Sequence, residues 1–129
     1  MKAAFLLVAL EVCLVAPGFA QERLQSDIAL LSSADTATRA LAACRIASRG
    51  RDAEAAVPAL LRLLADGTSI TPVDCWSDRT TPGLEAARAL GAIRSDAAIE
   101  PLLEALRSPN PELRRTAARA LGLMMRRRR

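Results

Sequence analysis

The residues with the widest chemical repertoire crowd into one short stretch, DGTSITPVDCWSDRTTP at positions 66–82. Asp74 and Asp78 are paired carboxylates, Cys75 is a thiol, Trp76 is the only tryptophan of the chain, and Arg79 is a nearby cation. Two acids four residues apart could hold a divalent cation. Calcium loops, however, alternate oxygen ligands around a central glycine, and that template is missing, so solvated loop acids without a metal are the expectation. Trp76 on a polar loop must either tuck against the body of the protein or meet a partner, which makes Asp74, Trp76, Asp78 and Arg79 candidate partner-binding residues. A tolerated surface loop with no role is the equal alternative, because long insertions cost little thermodynamically.

Elsewhere the chemistry thins out. The chain has no His and no Tyr, which removes histidine triads, His-ligated metals and tyrosine stacking platforms together. No catalytic, cofactor or metal residues are assigned. Two further candidates for partner binding are Arg88 and Arg119, which hold the same place in two copies of one phrase: AARALGAI begins at 86, and AARALGLM begins 31 residues later, at 117. They could form a cationic ladder for anionic peptide segments, with Arg45 and Arg115 nearby. The competing reading is solvated arginines paired with Glu85 and Glu112 on the same helices.

The first twenty residues stand apart. MKAAFLLVALEVCLVAPGFA has a basic start at Lys2, an apolar run, and small residues at Gly18 and Ala20, which reads as a signal peptide for secretion or the periplasm, cleaved after Ala20. Glu11 interrupts the run and argues against a membrane span, which needs about 20 predominantly apolar residues.

Charge has to be located before it is interpreted. The chain carries 18 basic against 14 acidic residues, a net +4. Without residues 1–20 and the terminal arginine run 126–129, the remaining charges balance. A neutral body with a short basic tail does not make the patch that phosphate binding requires, so nucleic acid is not an expected partner.

A repeat positions these groups. Val57, Leu60, Leu61 and Leu64 fall at i, i+3, i+4 and i+7, and Ile99, Leu102, Leu103 and Leu106 do the same, so each set is one stripe of an amphipathic helix. A weaker upstream copy is Leu24, Asp27, Ile28 and Leu31, where Asp27 breaks the stripe as an end unit with one solvent side would. Each stripe is followed by an alanine pair, Ala42-Ala43, Ala86-Ala87 and Ala117-Ala118, with Ile46, Leu90 or Leu121 four residues after the first alanine. Gly91 and Gly122 then occupy one register mid-helix, where glycine costs about 1 kcal/mol relative to alanine, and tight backbone packing would explain both. Leu103 and Ala118 are accordingly expected to be buried. Thr81-Pro82 and Asn110-Pro111-Glu112 look like helix starts, and Asp52, Asp96 or Ser95 are candidate caps for the stripe helices. The units run over about 22–49, 52–94 and 95–125, the second carrying the insertion 66–82. Met124, Met125 and the arginine tail follow where a closing cap would stand, so a partner, self-association or fraying must deal with that end.

In this register Cys44 takes the place held by Arg88 and Arg119, a position that packing does not explain for a thiol. With Cys13 in the leader, Cys44 and Cys75 form an even pair. A disulfide between them suits an oxidising compartment, because the insertion leads into the helix beside that of Cys44.

The phrases AAVPALLRLLADG, AAIEPLLEALRSPNPELRRTAARALG and GLEAARALGAIRSDA resemble bacterial HEAT-like repeats, the short type named after phycobilisome lyases. The resemblance implies an all-α, right-handed superhelical solenoid of about three helix pairs, with the alanine-pair helices lining its concave side, and protein-binding or scaffold roles. The expected function is therefore an exported, non-catalytic protein-interaction module with an unknown protein partner and no cofactor. The alternative is a lyase-like HEAT enzyme acting on a tetrapyrrole chromophore, with nucleic-acid binding a more distant third. HEAT enzymes that hydroxylate a modified lysine use His-Glu motifs, which this chain lacks.

Overall fold

The computed structural model describes residues 18–70 and 79–126. It is an all-helical solenoid in which helices follow one another in three antiparallel steps: α1 (18–30) and α2 (Thr36–Ser48), α3 (Val57–Leu63) and α4 (Pro82–Ile93), α5 (Ile99–Ala105) and α6 (Pro111–Met125). Short 3-10 turns, Gly50–Ala56 and Asp96–Ala98, lead into α3 and α5. None of the described helices is long and apolar enough to cross a membrane. The expected leader, apart from its last three residues, lies outside the described residues, and the expected cleavage point after Ala20 falls within α1.

Helix starts follow the local sequence. The Asp35 carboxylate accepts from the Thr38 backbone N–H at 3.0 Å, the Thr81 hydroxyl oxygen from Leu84 N–H at 3.1 Å, and the Asn110 side-chain oxygen from Glu112 N–H at 3.0 Å. Each satisfies one of the amides that a first helical turn leaves without a partner. Thr81 and Asn110 act as the sequence suggests, whereas the proposed caps of the stripe helices do not. α3 and α5 are preceded by Ala56 and Ala98, without a side-chain cap, because the 3-10 turns already supply the lead-in. Ser95 instead donates its hydroxyl to Glu54 at 2.6 Å, tying together the turns before α3 and α5.

α4 is the centre of the molecule, packed between α2 and α6 and over α3. Both alanines of its pair, Ala86 and Ala87, are fully buried, as are Ala89 and Leu90. A side chain at Gly91 would bring its Cβ within 2.8 Å of the Ala120 Cβ on α6, so the glycine lets two helix backbones approach as its register implied. The helix ends on Arg94, whose φ of 63° is left-handed. The equivalent residue after α2 is Gly50 at φ 58°, which adopts that conformation without the Cβ penalty.

Three side chains depart from the sequence expectation. Leu103 is 43% exposed while Leu102 is fully buried: α6 covers α5 along one side, and no described helix covers the next turn of the stripe. Ala118 is exposed although Ala117 is buried, because α6 packs on α4 and α5 and no described helix covers its other side. Asp27, expected to face solvent, is 7% exposed. It lies 3.5 Å from the Arg49 guanidinium and 3.9 Å from that of Arg45, so the break in the stripe is a charge contact between α1 and α2.

Candidate functional site

The insertion leaves and rejoins the stack through a narrow neck. Ile70 and Thr80 form an isolated antiparallel bridge, with Ile70 N–H donating to the Thr80 carbonyl at 3.0 Å and Thr80 N–H to the Ile70 carbonyl at 3.4 Å. Below it, Asp66 receives Nε and Nη2 of Arg39 from α2 at 3.0 and 2.9 Å and the Thr68 N–H at 3.1 Å. Burial raises the Asp66 carboxyl, but the Thr68 backbone and hydroxyl donors and the Arg39 charge outweigh it and hold the group below its ordinary 3.8. Gly83 N–H donates to the Asp66 carbonyl at 2.8 Å. A Cβ on Gly83 would come within 2.5 Å of the Leu64 carbonyl oxygen and 2.9 Å of that of Asp66, so this chain path requires the glycine.

Asp74, Cys75, Trp76 and Asp78 lie outside the described residues. Arg79, at the edge of the neck, is exposed. Cys44 is half-buried on α2.

Next to the neck stands a polar group that sequence reasoning placed only as an ion-pair partner. Glu85, on the first turn of α4, is 1% exposed. Its carboxylate accepts from the Thr80 hydroxyl and from Arg88 Nη1, both at 2.5 Å. A buried carboxylate needs such compensation. Its signal in the sequence is faint: Glu85 holds the register of Leu41 and Thr116 in the neighbouring units, so an acid there is unique to the unit with the insertion.

The structure brings Arg88 and Arg119 together. With Thr116, Ala120 and Leu123 they line a shallow cavity of about 180 Å³ between α4 and α6. Arg88 is held by Glu85, while Arg119 is exposed. The other two arginines of the expected ladder are engaged elsewhere, Arg45 with Asp27 at 3.9 Å and Arg115 with Glu112 at 3.3 Å. The candidate surface is therefore two arginines and a threonine hydroxyl above an apolar floor. That arrangement suits a carboxylate attached to an apolar body. Among the described residues no three His, Cys, Asp or Glu side chains converge as a metal site would need.

Comparison with known proteins places this geometry. The HEAT-repeat family model matches residues 83–128. A solved complex of CpcE and CpcF of phycocyanin lyase from Nostoc sp. PCC7120 contains a chain 31% identical to this one, superposing with a TM-score of 0.66 over 78% of this chain and 36% of that one. This chain thus spans about a third of the length of the lyase chain it matches. No curated protein matches significantly.

Proposed function

We propose that this chain, a HEAT-like repeat protein, works as a lyase-like module that holds another protein and handles the carboxylates of a tetrapyrrole. The observation that carries this reading is the 31% identity over 78% of the chain to one member of the phycocyanin lyase complex. It outweighs the sequence-based expectation of a non-catalytic module, and the neighbour's two-subunit assembly agrees with protein binding. Arg88, Thr116 and Arg119 are the residues we assign to carboxylate binding, since they line one cavity. With no His or Tyr in the sequence, this role rests on binding and orienting rather than on imidazole acid–base chemistry. The test is incubation with a bilin and an acceptor protein. A spectral change and covalent transfer, both weakened by Arg119→Ala, support the reading. An unchanged bilin spectrum at saturating protein sinks it.

The second reading, an exported module that binds protein without chemistry, is favoured by the built neck of the insertion, where Asp66, Arg39 and Gly83 fix the base of a loop carrying Trp76. There Trp76→Ala should lose partner binding with little change in melting temperature. Equal binding by both proteins would remove the loop from this reading. Export separates the two functions. If the natural protein starts at Gln21, the secreted binder is favoured and a Cys44–Cys75 disulfide has its oxidising setting. Peptide mapping with and without reduction then tests that pairing. A retained Met1 in the cytosol favours the lyase-like role.

A further inference from the structure

The neck of the insertion and the arginine cavity meet at one oxygen. Thr80, 2% exposed, pairs its backbone with Ile70 and donates its hydroxyl to Oε1 of Glu85 at 2.5 Å. Arg88 Nη1 donates to the same Oε1, also at 2.5 Å, and Arg88 lines the cavity together with Arg119 and Thr116. The Thr80 hydroxyl has a single proton, and its other acceptor, the Thr81 carbonyl at 3.5 Å, is much the longer contact. Arg119 has no such support on its own helix. It is exposed, with Thr116 instead of an acid three residues before it, and the Thr116 hydroxyl donates to the Glu112 carbonyl at 2.8 Å. The cavity therefore carries one guanidinium held from beneath and one at the surface.

We propose that Thr80 and Glu85 are positioning residues for this cavity, so that the pairing of the neck sets how tightly Arg88 and Arg119 take a carboxylate. A carboxylate as buried as that of Glu85, 1% exposed, must be compensated by donors. With the Thr80 hydroxyl in place, Oε1 shares two donors, and the planar fork of Arg88 is fixed in one orientation. A ligand then meets a guanidinium whose ordering is already complete. Without that hydroxyl, the buried charge draws more on Arg88, and the guanidinium shifts toward Glu85 and away from the ligand. Thr80 itself does not line the cavity, so its effect on binding travels through Glu85 and Arg88. Linkage makes the effect mutual: a carboxylate that fixes Arg88 also favours the Thr80–Glu85 contact, and with it the paired neck.

This inference rests on the carboxylate-binding part of the proposed function and is tested in part without a ligand. In the full chain, Thr80→Val keeps the shape of the side chain and removes the hydroxyl, whereas Thr80→Ser keeps the hydroxyl. Side-chain NMR of arginine-labelled protein reads the Arg88 guanidinium directly: its signal should move in Thr80→Val and stay at the wild-type position in Thr80→Ser. Glu85→Gln, which leaves Thr80 an acceptor but removes the charge, should move it too, and serves if Thr80→Val unfolds. Biliverdin, a bilin with propionate side chains, should bind Thr80→Val about tenfold more weakly than wild type, the effect of one hydrogen bond to a charged group. Thr80→Ser should bind it as wild type does. At saturation, biliverdin should slow hydrogen exchange at the Ile70 and Thr80 amides of the wild-type protein, a measurement that needs no variant. An Arg88 signal or a biliverdin affinity indifferent to Thr80→Val, a Thr80→Ser as impaired as Thr80→Val, or unchanged exchange at saturation overturns the proposal. Absent biliverdin binding, or equal binding of its dimethyl ester, with the Arg88 response intact counts against the lyase-like reading alone.

Discussion

At the N-terminal side of the described stack, α1 adds Leu24 and Leu31 to the common core and meets Arg45 and Arg49 of α2 through Asp27. At its C-terminal end α6 gives Ala117, Ala120 and Met124 to the core but leaves Ala118, Leu123 and Met125 outside. Among the described residues the polar side chain thus lies inside at one side of the stack and the apolar ones lie outside at the other, the reverse of what hydrophobicity alone would assign. A repeat protein distributes its stability through contacts between neighbours, so what a helix buries depends on whether a neighbour exists.

Four sets of substitutions would break or sharpen this comparison. The largest effect is expected where the helices are enclosed. Leu90→Ala in α4, fully buried, should cost about 2–5 kcal/mol in urea unfolding, whereas Leu103→Ala, at 43% exposure, should cost well under half as much. Equal losses would mean that α5 is as enclosed as α4. Gly91→Ala should destabilise by about 1–3 kcal/mol, since its Cβ collides with Ala120. The same change at Gly122 should be neutral or stabilising by up to about 1 kcal/mol, and calorimetry of the pair reads the sign directly.

Between α1 and α2, Asp27→Ala should cost about 1 kcal/mol, because its contacts are longer than hydrogen bonds and Arg45 is largely solvated. Asp27→Leu, which restores the apolar stripe, should recover much of that loss. A larger penalty for Leu than for Ala would show that the contact demands charge. The smallest effect belongs to the turn after α4: Arg94→Gly should raise stability by up to about 1 kcal/mol, removing the strain of a left-handed Arg where the sister turn has Gly50.

Acid should act on the neck. The Asp66 carboxyl is held below 3.8, so the stability it contributes is present above that value and is lost as pH falls through the lower folded-state value. Melting temperatures of wild type and Asp66→Asn should therefore differ near neutral pH and converge in acid. A constant gap across the titration would assign the effect of the variant to packing.

Much of the fold was legible because stripes and alanine pairs report a helix's apolar faces directly. Thr81 and Asn110 announced two helix starts for equally local reasons. What was not legible depended on neighbours. Nothing in the i, i+3, i+4 spacing distinguishes Leu102 from Leu103, and the two AARALG phrases differ in burial only because α6 has α4 on one side and no described helix on the other. Asp27 was readable as a defect but not as a contact, since its partners Arg45 and Arg49 lie on another helix. Among the site residues, Arg88 and Arg119, equivalent in the repeat register, line one cavity. Glu85 escaped notice as a buried group because its partner Thr80 becomes adjacent only when the neck closes.

That neck carries a consequence for how such a chain can diversify. Two backbone hydrogen bonds between Ile70 and Thr80, with Asp66 anchored to Arg39 and seated on Gly83, make both ends of the segment part of the framework, whatever lies between them. The length of residues 71–78 is then cheap to change, since each doubling of a closed loop costs only about 0.6 kcal/mol. Exchanging those eight residues for an unrelated polar octapeptide should leave the melting temperature within a few degrees of the original under reducing conditions. The solenoid would serve as a chassis on which recognition is rewritten at one socket.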